Sequence, residues 1–259
     1  MNYAIFLNTA LAIRAEARES AEMVTQLIFG EYVEIIDSQN SFAKIKNRID
    51  GYEGWADQKM LTEISEDTYN RLMSQPVFRT NVPVADVFCL TDKSIYRLSA
   101  GSILPFYQHE ASGFEIAQRK YQIHPSFVTY LPNSYKDNIL AAAMLFQNAP
   151  YLWGGKTIMG IDCSGLVQSV FNMNGVNLPR DASMQVHEGQ TIDTLENAMP
   201  SDLLFFEKNG RITHVGIYMG DCKIIHASGK VRIDKVDEKG VYNIDTESYT
   251  HQLASIKRI

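Results

Sequence analysis

The stretch from Tyr151 to Gly175 constrains this chain more than any other. It reads Tyr151-Leu-Trp-Gly-Gly155, then Ile161-Asp-Cys-Ser-Gly165, then an apolar-periodic run through Leu166, Val167, Val170 and Phe171. Asp162 is a good N-cap residue and Gly175 a good stop after Met173 and Asn174, so the pattern predicts a helix that begins at Cys163. A cysteine in a first helical turn faces unpaired backbone N–H groups and the positive end of the helix dipole. Both favour the thiolate, which is the attacking species in nucleophilic catalysis. A lone cysteine beside an apolar run is more commonly a small buried hydrophobe, so the reading depends on whether partners exist.

A nucleophilic thiol needs a base, and the base needs an orienting group. The segment Ile212-Thr-His-Val-Gly-Ile-Tyr-Met-Gly-Asp-Cys-Lys-Ile-Ile-His-Ala227 reads as a β-hairpin turning at Gly220-Asp221, with His214 on one strand and His226 on the other. A plain two-residue loop would put the histidines on opposite faces. A three-residue loop or a bulge would put them on one face within side-chain reach, and that version is expected here. His214 then takes the thiol proton and His226 orients it. Two hydrogen-bonded core histidines are the alternative.

Six ordered segments carry a resemblance: Pro150-Tyr-Leu-Trp-Gly-Gly155, Asp162-Cys-Ser-Gly165, Leu178-Pro-Arg-Asp-Ala-Ser-Met-Gln185, Asp202-Leu-Leu-Phe-Phe206, Thr213-His-Val-Gly-Ile-Tyr218 and Ile225-His-Ala227. Residues from about 132 to 259 resemble the NlpC-type cell-wall cysteine peptidases, a circularly rearranged branch of the papain-like fold. The resemblance implies an α+β fold: a papain-like catalytic domain, with the helix carrying the Cys packed on an antiparallel sheet carrying the His, preceded by two small all-β SH3-like barrels. It implies Cys163 as nucleophile, His214 as base, His226 as third member and Tyr151 near the oxyanion site. Ser201 departs from it, since the family has Gly before the Asp-Leu pair.

Enzymes of this architecture resemble γ-D-glutamyl-L-diamino acid endopeptidases, which cut the γ-D-Glu to meso-diaminopimelate (or L-Lys) bond of small murein peptides, one branch requiring a free N-terminal L-Ala. An anionic group at the end of a blocked cleft would meet that ammonium. Asp181 matches the family position, and a turn or cap aspartate is its alternative. Ser164, Glu53 in Gly51-Tyr-Glu-Gly54 and Tyr96 are further candidates for substrate contact, with Asp162 and Trp153. Arg180 meets a substrate carboxylate or braces the fold. Other readings keep the fold: an endopeptidase or amidase acting on intact wall, an acyltransferase, and a wall-binding module with a silent catalytic half.

Composition bounds the rest. The chain has 259 residues, 45% of them hydrophobic, and a net charge of −6, which argues against a general nucleic-acid binder. Cys89, Cys163 and Cys222 form no CxxC pair, and no HExxH occurs among the six histidines, so no disulfide framework, metal or cofactor is expected. The N-terminal run Ala4-Ile-Phe-Leu7 is broken by Asn8 and Thr9 and has no basic residue before it. It reads as a strand rather than a leader, giving a cytoplasmic expectation. The expected organisation is an SH3-like domain over 1–64, a linker over 65–81 with a helix at Glu66–Ser74, a divergent SH3-like domain over 82–131 and the catalytic domain over 132–259. Asn133 or Ser134 is expected to cap a helix from Tyr135 to Gln147.

Overall fold

The computed structural model describes residues 2–130 and 138–259. The chain forms two compact units, one of residues 1–132 with 156–158 and the other of 133–155 with 159–259.

The first unit begins with the strand expected at the N-terminus. Tyr3–Phe6 is buried on both faces. Ala4 and Phe6 enter one core with Leu11, Ile13, Leu27 and Val33, while Ile5 and the following Leu7 enter a second. Alternate side chains of a strand point to opposite faces, so burial on both sides produces the continuous apolar run seen in the sequence. This strand lies in a seven-stranded antiparallel sheet ordered Met23–Ile28, Ala10–Arg14, Glu53–Asp57, Phe42–Asn47, Tyr32–Gln39, Tyr3–Phe6 and Leu61–Glu63.

The second core of this unit joins Ile5 and Phe29 to Ala85, Val87, Leu98, Phe114 and Tyr121 of a four-stranded sheet built from Val84–Cys89, Ser94–Ser99, Gly113–Ile116 and Arg119–Ile123. The helix Glu66–Ser74 forms where expected, capped by Ser65, whose hydroxyl accepts from Thr68 N. It is no mere tether, because Tyr69 and Leu72 are buried in the same core. Cys89 is buried there as an apolar residue. Ile103–Leu104 forms a short strand at an edge of a three-stranded sheet, just before Pro105. Lys156 also belongs to this unit. Its Nζ lies 2.6 Å from Glu31 Oε1, both side chains 2% exposed, so the pair is fully desolvated.

In the second unit the helix Cys163–Met173 packs against the strands Arg211–Gly220 and Lys223–Ser228. It is buried along its whole length, and Gly175 ends it with φ 77. The preceding helix is described over Ile139–Met144, and the expected caps Asn133 and Ser134 lie outside the described residues. The sheet runs Gln190–Ile192, Ser248–Arg258, Leu203–Lys208, Arg211–Gly220, Lys223–Ser228, Lys230–Asp237 and Gly240–Asn243. The long last strand also pairs with Gly240–Asn243, so six strands of this antiparallel sheet close on themselves. Gly240 makes that closure possible. Its φ is +136, and a Cβ there would lie 1.8 Å from the carbonyl oxygen of His251.

Ser201 occupies the position where the resembled family has glycine, and its φ is 81, inside the left-handed region. A non-glycine residue there carries strain of about 1–2 kcal/mol, part of which glycine returns as unfolded-chain entropy. Ser201→Gly is therefore expected to stabilise the protein by about 0.5–1 kcal/mol, read as a rise in the urea midpoint at constant slope.

Candidate active site

Cys163 is the first residue of its helix, as expected, and its environment is built by Asp162. The Asp162 carboxylate caps the helix by accepting from Gly165 N at 2.7 Å, accepts from Gly154 N at 2.8 Å, and takes two hydrogen bonds from Arg180, Nη1 to Oδ1 at 3.0 Å and Nη2 to Oδ2 at 2.6 Å. Arg180 is 1% exposed and also donates to Ser164 Oγ at 2.9 Å. The Asp-Cys-Ser-Gly motif thus becomes legible as one packed knot. A Cβ at Gly165 would fall 2.3 Å from the carbonyl oxygen of Gly155, so the helix start abuts the Gly-Gly turn.

Of the two roles open to Arg180, the structure shows the bracing one, and Asp162 caps the helix as expected. Asp162, Ser164 and Arg180, also candidates for substrate contact, are buried and bonded to one another, and so hold the nucleophile's helix. A single arginine is long enough to neutralise the N-cap carboxylate from the neighbouring segment, a pairing the sequence left between two alternatives.

The histidines share one face, through a bulge. The register runs Gly216↔His226, Ile217↔Ile225 and Tyr218↔Ile224, then shifts to Gly220↔Lys223, with Met219 the extra residue. The turn itself is Asp221-Cys222, one residue later than expected, with both residues at positive φ (50 and 54), as a tight hairpin turn requires. His214 lies opposite Phe206, beside a second bulge at Thr213, on the apolar face that includes Leu204, Tyr218 and Ile224.

The two imidazoles form a line that ends on a carboxylate the sequence reading did not single out. His214 Nε2 is 2.8 Å from His226 Nδ1, and His226 Nε2 is 3.1 Å from Asp234 Oδ2. Arg232 Nη2 donates to Asp234 Oδ1 at 2.8 Å and Arg232 pairs through Nη1 with Asp245 at 2.9 Å. Burial pushes Asp234 up, but hydrogen bonds from His226 and Arg232 outweigh it and hold the carboxyl below its usual range. It is therefore an acceptor only. His226 must donate from Nε2, which for the neutral ring leaves Nδ1 to accept. His214 must then donate from Nε2, and its basic lone pair is Nδ1.

Burial, followed by the neighbouring His226 and His251, holds His214 well below the usual histidine range. Burial, followed by the Asp162 charge, pushes the Cys163 thiol up to about 11, against hydrogen bonds from the backbone of Val215 and Ser164 and the charge of Arg180. The expectation of a thiolate favoured by the helix start is thereby corrected: at 7% exposure, desolvation outweighs the dipole. The resting pair is neutral thiol and neutral imidazole, and the Val215 backbone group at the thiol belongs to the residue following His214.

Tyr151 is held between both halves of the line. Its N donates to Gly229 O at 2.9 Å, just past the His226 strand, and it bridges to Ile161, just before the Cys163 helix. Burial, with Cys163 and Asp162 nearby, raises its phenol to about 12, so it keeps its proton. Trp153, a candidate for substrate contact, is 59% exposed. Asp181 is half-buried at the N-cap position of the short helix Ala182–Gln185, where its carbonyl accepts from Met184 N and Gln185 N and its side chain makes no cap bond. Glu53 is exposed and paired with Lys44 at 3.1 Å. Tyr96 donates to Asp92 and accepts from Arg119 Nη1 at 3.0 Å, its ring packing on Phe29 and Tyr121. Both are thus engaged within the first unit. Among the described residues no group of three His, Cys, Asp or Glu side chains is placed to hold a metal ion, and no helix is long and apolar enough to cross a membrane.

Comparison with known proteins meets this geometry. Residues 148–249 match the NlpC/P60 family, and residues 13–61 match the bacterial dipeptidyl-peptidase SH3 domain. The chain carries an NlpC/P60 domain and a bacterial SH3 domain. The gamma-D-glutamyl-L-lysine dipeptidyl-peptidase of Bacillus subtilis is 29% identical over 78% of this chain and 71% of its own length. Dipeptidyl-peptidase 6 of Lysinibacillus sphaericus is 27% identical over 91% of this chain and 92% of its own. A crystal structure of an NlpC/P60 family protein from Bacillus cereus shares the fold, with a TM-score of 0.84 over 99% of both chains at 20% identity. His251, Asp234 and Arg232 are the site residues that sequence reasoning missed. The alternation of Arg232 and Asp234 against Val231 and Ile233 was the available signal, but it needs the strand register to point at His226.

A neutral resting pair has a kinetic signature. Alkylation of Cys163 by iodoacetamide, followed on its own peptide by mass spectrometry, is expected to rise about tenfold per pH unit between pH 8 and 10, because only the thiolate reacts and the thiol is still losing its proton there. A rate already level from pH 6 upward would mean a preformed thiolate.

Proposed function

We propose that this protein is a cysteine peptidase that hydrolyses the bond between γ-D-Glu and a diamino acid in murein peptides bearing a free N-terminal L-Ala. The buried line from His214 through His226 to Asp234, with the backbone of the next residue, Val215, bonded to the Cys163 thiol, carries the reading. Cys163 Sγ attacks the amide carbonyl as its proton passes to His214 Nδ1. The N–H of Cys163 and the phenol of Tyr151 are donors for the developing oxyanion. His214 then protonates the leaving amine as the C–N bond breaks, and water, deprotonated by His214, releases the acyl group from the thioester. The chemistry needs no metal or cofactor.

Substrate class rests on the names of the two curated relatives, both dipeptidyl-peptidases, with matches that span most of this chain. For the free-amine requirement we assign the half-buried carboxylate of Asp181, at the start of the short helix Ala182–Gln185, to the substrate ammonium. We further infer a papain-like arrangement for the catalytic unit, two SH3-like barrels before it, and a role in recycling small released peptides in the cytoplasm rather than in cutting intact wall.

Mass spectrometry of L-Ala-γ-D-Glu-L-Lys and its N-acetylated twin, each incubated with the full chain, tests this reading. The expected result is release of L-Ala-γ-D-Glu from the free peptide alone, and no turnover by Cys163→Ala. Cleavage of both peptides would point to an endopeptidase on wall strands, and cleavage of neither to an amidase, a transferase or a binding module. Asp181→Ala is expected to raise KM for the free-amine peptide about tenfold or more, as loss of a charged hydrogen bond does, with kcat largely kept. Equal losses on the free and blocked peptides would reject the amine-binding role.

A further inference from the structure

The line from thiol to Asp234 leaves one histidine of the cluster without a part. His251 stacks on His214, ring centroids 4.0 Å apart and planes at 24°, and meets His226 edge-on with centroids 5.9 Å apart. On its strand Ser248–Arg258 it is flanked by two bulges. The pairing with Gly240–Asn243 shifts at Thr250, and the pairing with Leu203–Lys208 shifts at Ala254. Bulges of this kind re-aim a side chain and gather beside active sites. Phe206, opposite His214, borders the same ring with centroids 5.7 Å apart, and packs edge-on to His251 at 6.1 Å. The His251 Nδ1 is 2.8 Å from Thr250 Oγ1. The close approach of Gly240 to the His251 carbonyl sets the path of this strand, so the backbone is committed to this placement.

We propose that His251 is a positioning residue for His214: its ring is the plate that fixes the plane of the His214 imidazole and lends a π face to the imidazolium formed when Cys163 gives up its proton. The inference rests on the reading of His214 as the base. A neutral ring stacked on a cation attracts it through the π electrons, while a second positive ring would repel it. Burial, followed by the neighbouring His226 and against the charge of Asp234, holds His251 down to about 4, so above pH 5 the plate is neutral. His251 takes no proton in the reaction and makes no hydrogen bond within the line. What it supplies is orientation and a favourable face.

The test compares the full chain with His251→Phe, which keeps an aromatic plate, and His251→Leu, which keeps comparable bulk without one. The readout is alkylation of Cys163 by iodoacetamide at pH 6, followed on the Cys163 peptide so that Cys89 and Cys222 do not interfere. Simple ionisation of the thiol is scarce there and the rate reads proton transfer to His214. His251→Leu is expected to slow alkylation about tenfold, and His251→Phe to restore it to within about threefold of the wild type. On the γ-D-glutamyl peptide the same loss falls on kcat with KM held. If His251→Leu lowers the thermal midpoint, His251→Gln, a planar group without a ring, replaces it with the same expectation. An undiminished rate in the ring-less variant overturns the proposal, and so does equal slowing in His251→Phe, which would assign the effect to the ring nitrogens. Alkylation needs no peptide, so a wild-type protein that cleaves neither peptide rejects the proposed substrate while leaving this comparison to stand or fall by itself.

Discussion

Everything at the candidate site depends on one buried carboxylate that touches neither the thiol nor its base. Asp234 is 2% exposed, and it accepts from His226 and Arg232. An ionised carboxylate has no proton to give, so it dictates direction: each ring of the line donates toward Asp234 and keeps its lone pair toward the nucleophile. Strand geometry places it. Ile224 pairs with Asp234 and His226 with Arg232 in the hairpin turning at Gly229, and the Met219 bulge brings His214 onto the same face. A one-residue slip in either hairpin would send a member of the line to the other side of the sheet.

A second carboxylate, Asp162, does the opposite job at the thiol. It caps the helix and ties in Arg180, Ser164 and the Gly154 backbone, so the nucleophile sits on a rigid start, but its charge and the burial it shares push the thiol up. Burial drives His214 down at the same time. Both shifts oppose a resting ion pair. The site is thus arranged to move one proton when a carbonyl arrives, rather than to store a reactive thiolate, and a stacked neutral ring beside His214 eases that single transfer.

Local chemistry made the helix legible in the sequence: Asp162 as cap, Cys163 at its start and Gly175 at its stop follow from backbone needs that neighbouring residues alone meet. The pairing of His214 with His226 was legible only as a choice between loop lengths, and the bulge that decides it has no clear residue signature, since Met219 is an ordinary strand residue. Asp234 and His251 were not legible, because each reaches the cluster through register set several strands away, and in His251's case through closure of the sheet at Gly240. The bracing role of Arg180 and Ser164 was hidden for a similar reason. Their residue types also suit substrate contact, and only packing shows them bonded to Asp162. The predicted thiolate failed on magnitude: a helix start is worth a fraction of what full burial costs a charge.

The central claim is the direction of the line, and the ring nitrogens report it directly. In 15N-histidine NMR of the full chain at pH 7, the account predicts His214 and His226 both protonated at Nε2 with Nδ1 bare, and both shifted together when Asp234 is replaced by Asn. A His214 ring protonated at Nδ1, or a doubly protonated His226 donating back to it, would leave no lone pair for the thiol proton and would contradict the account.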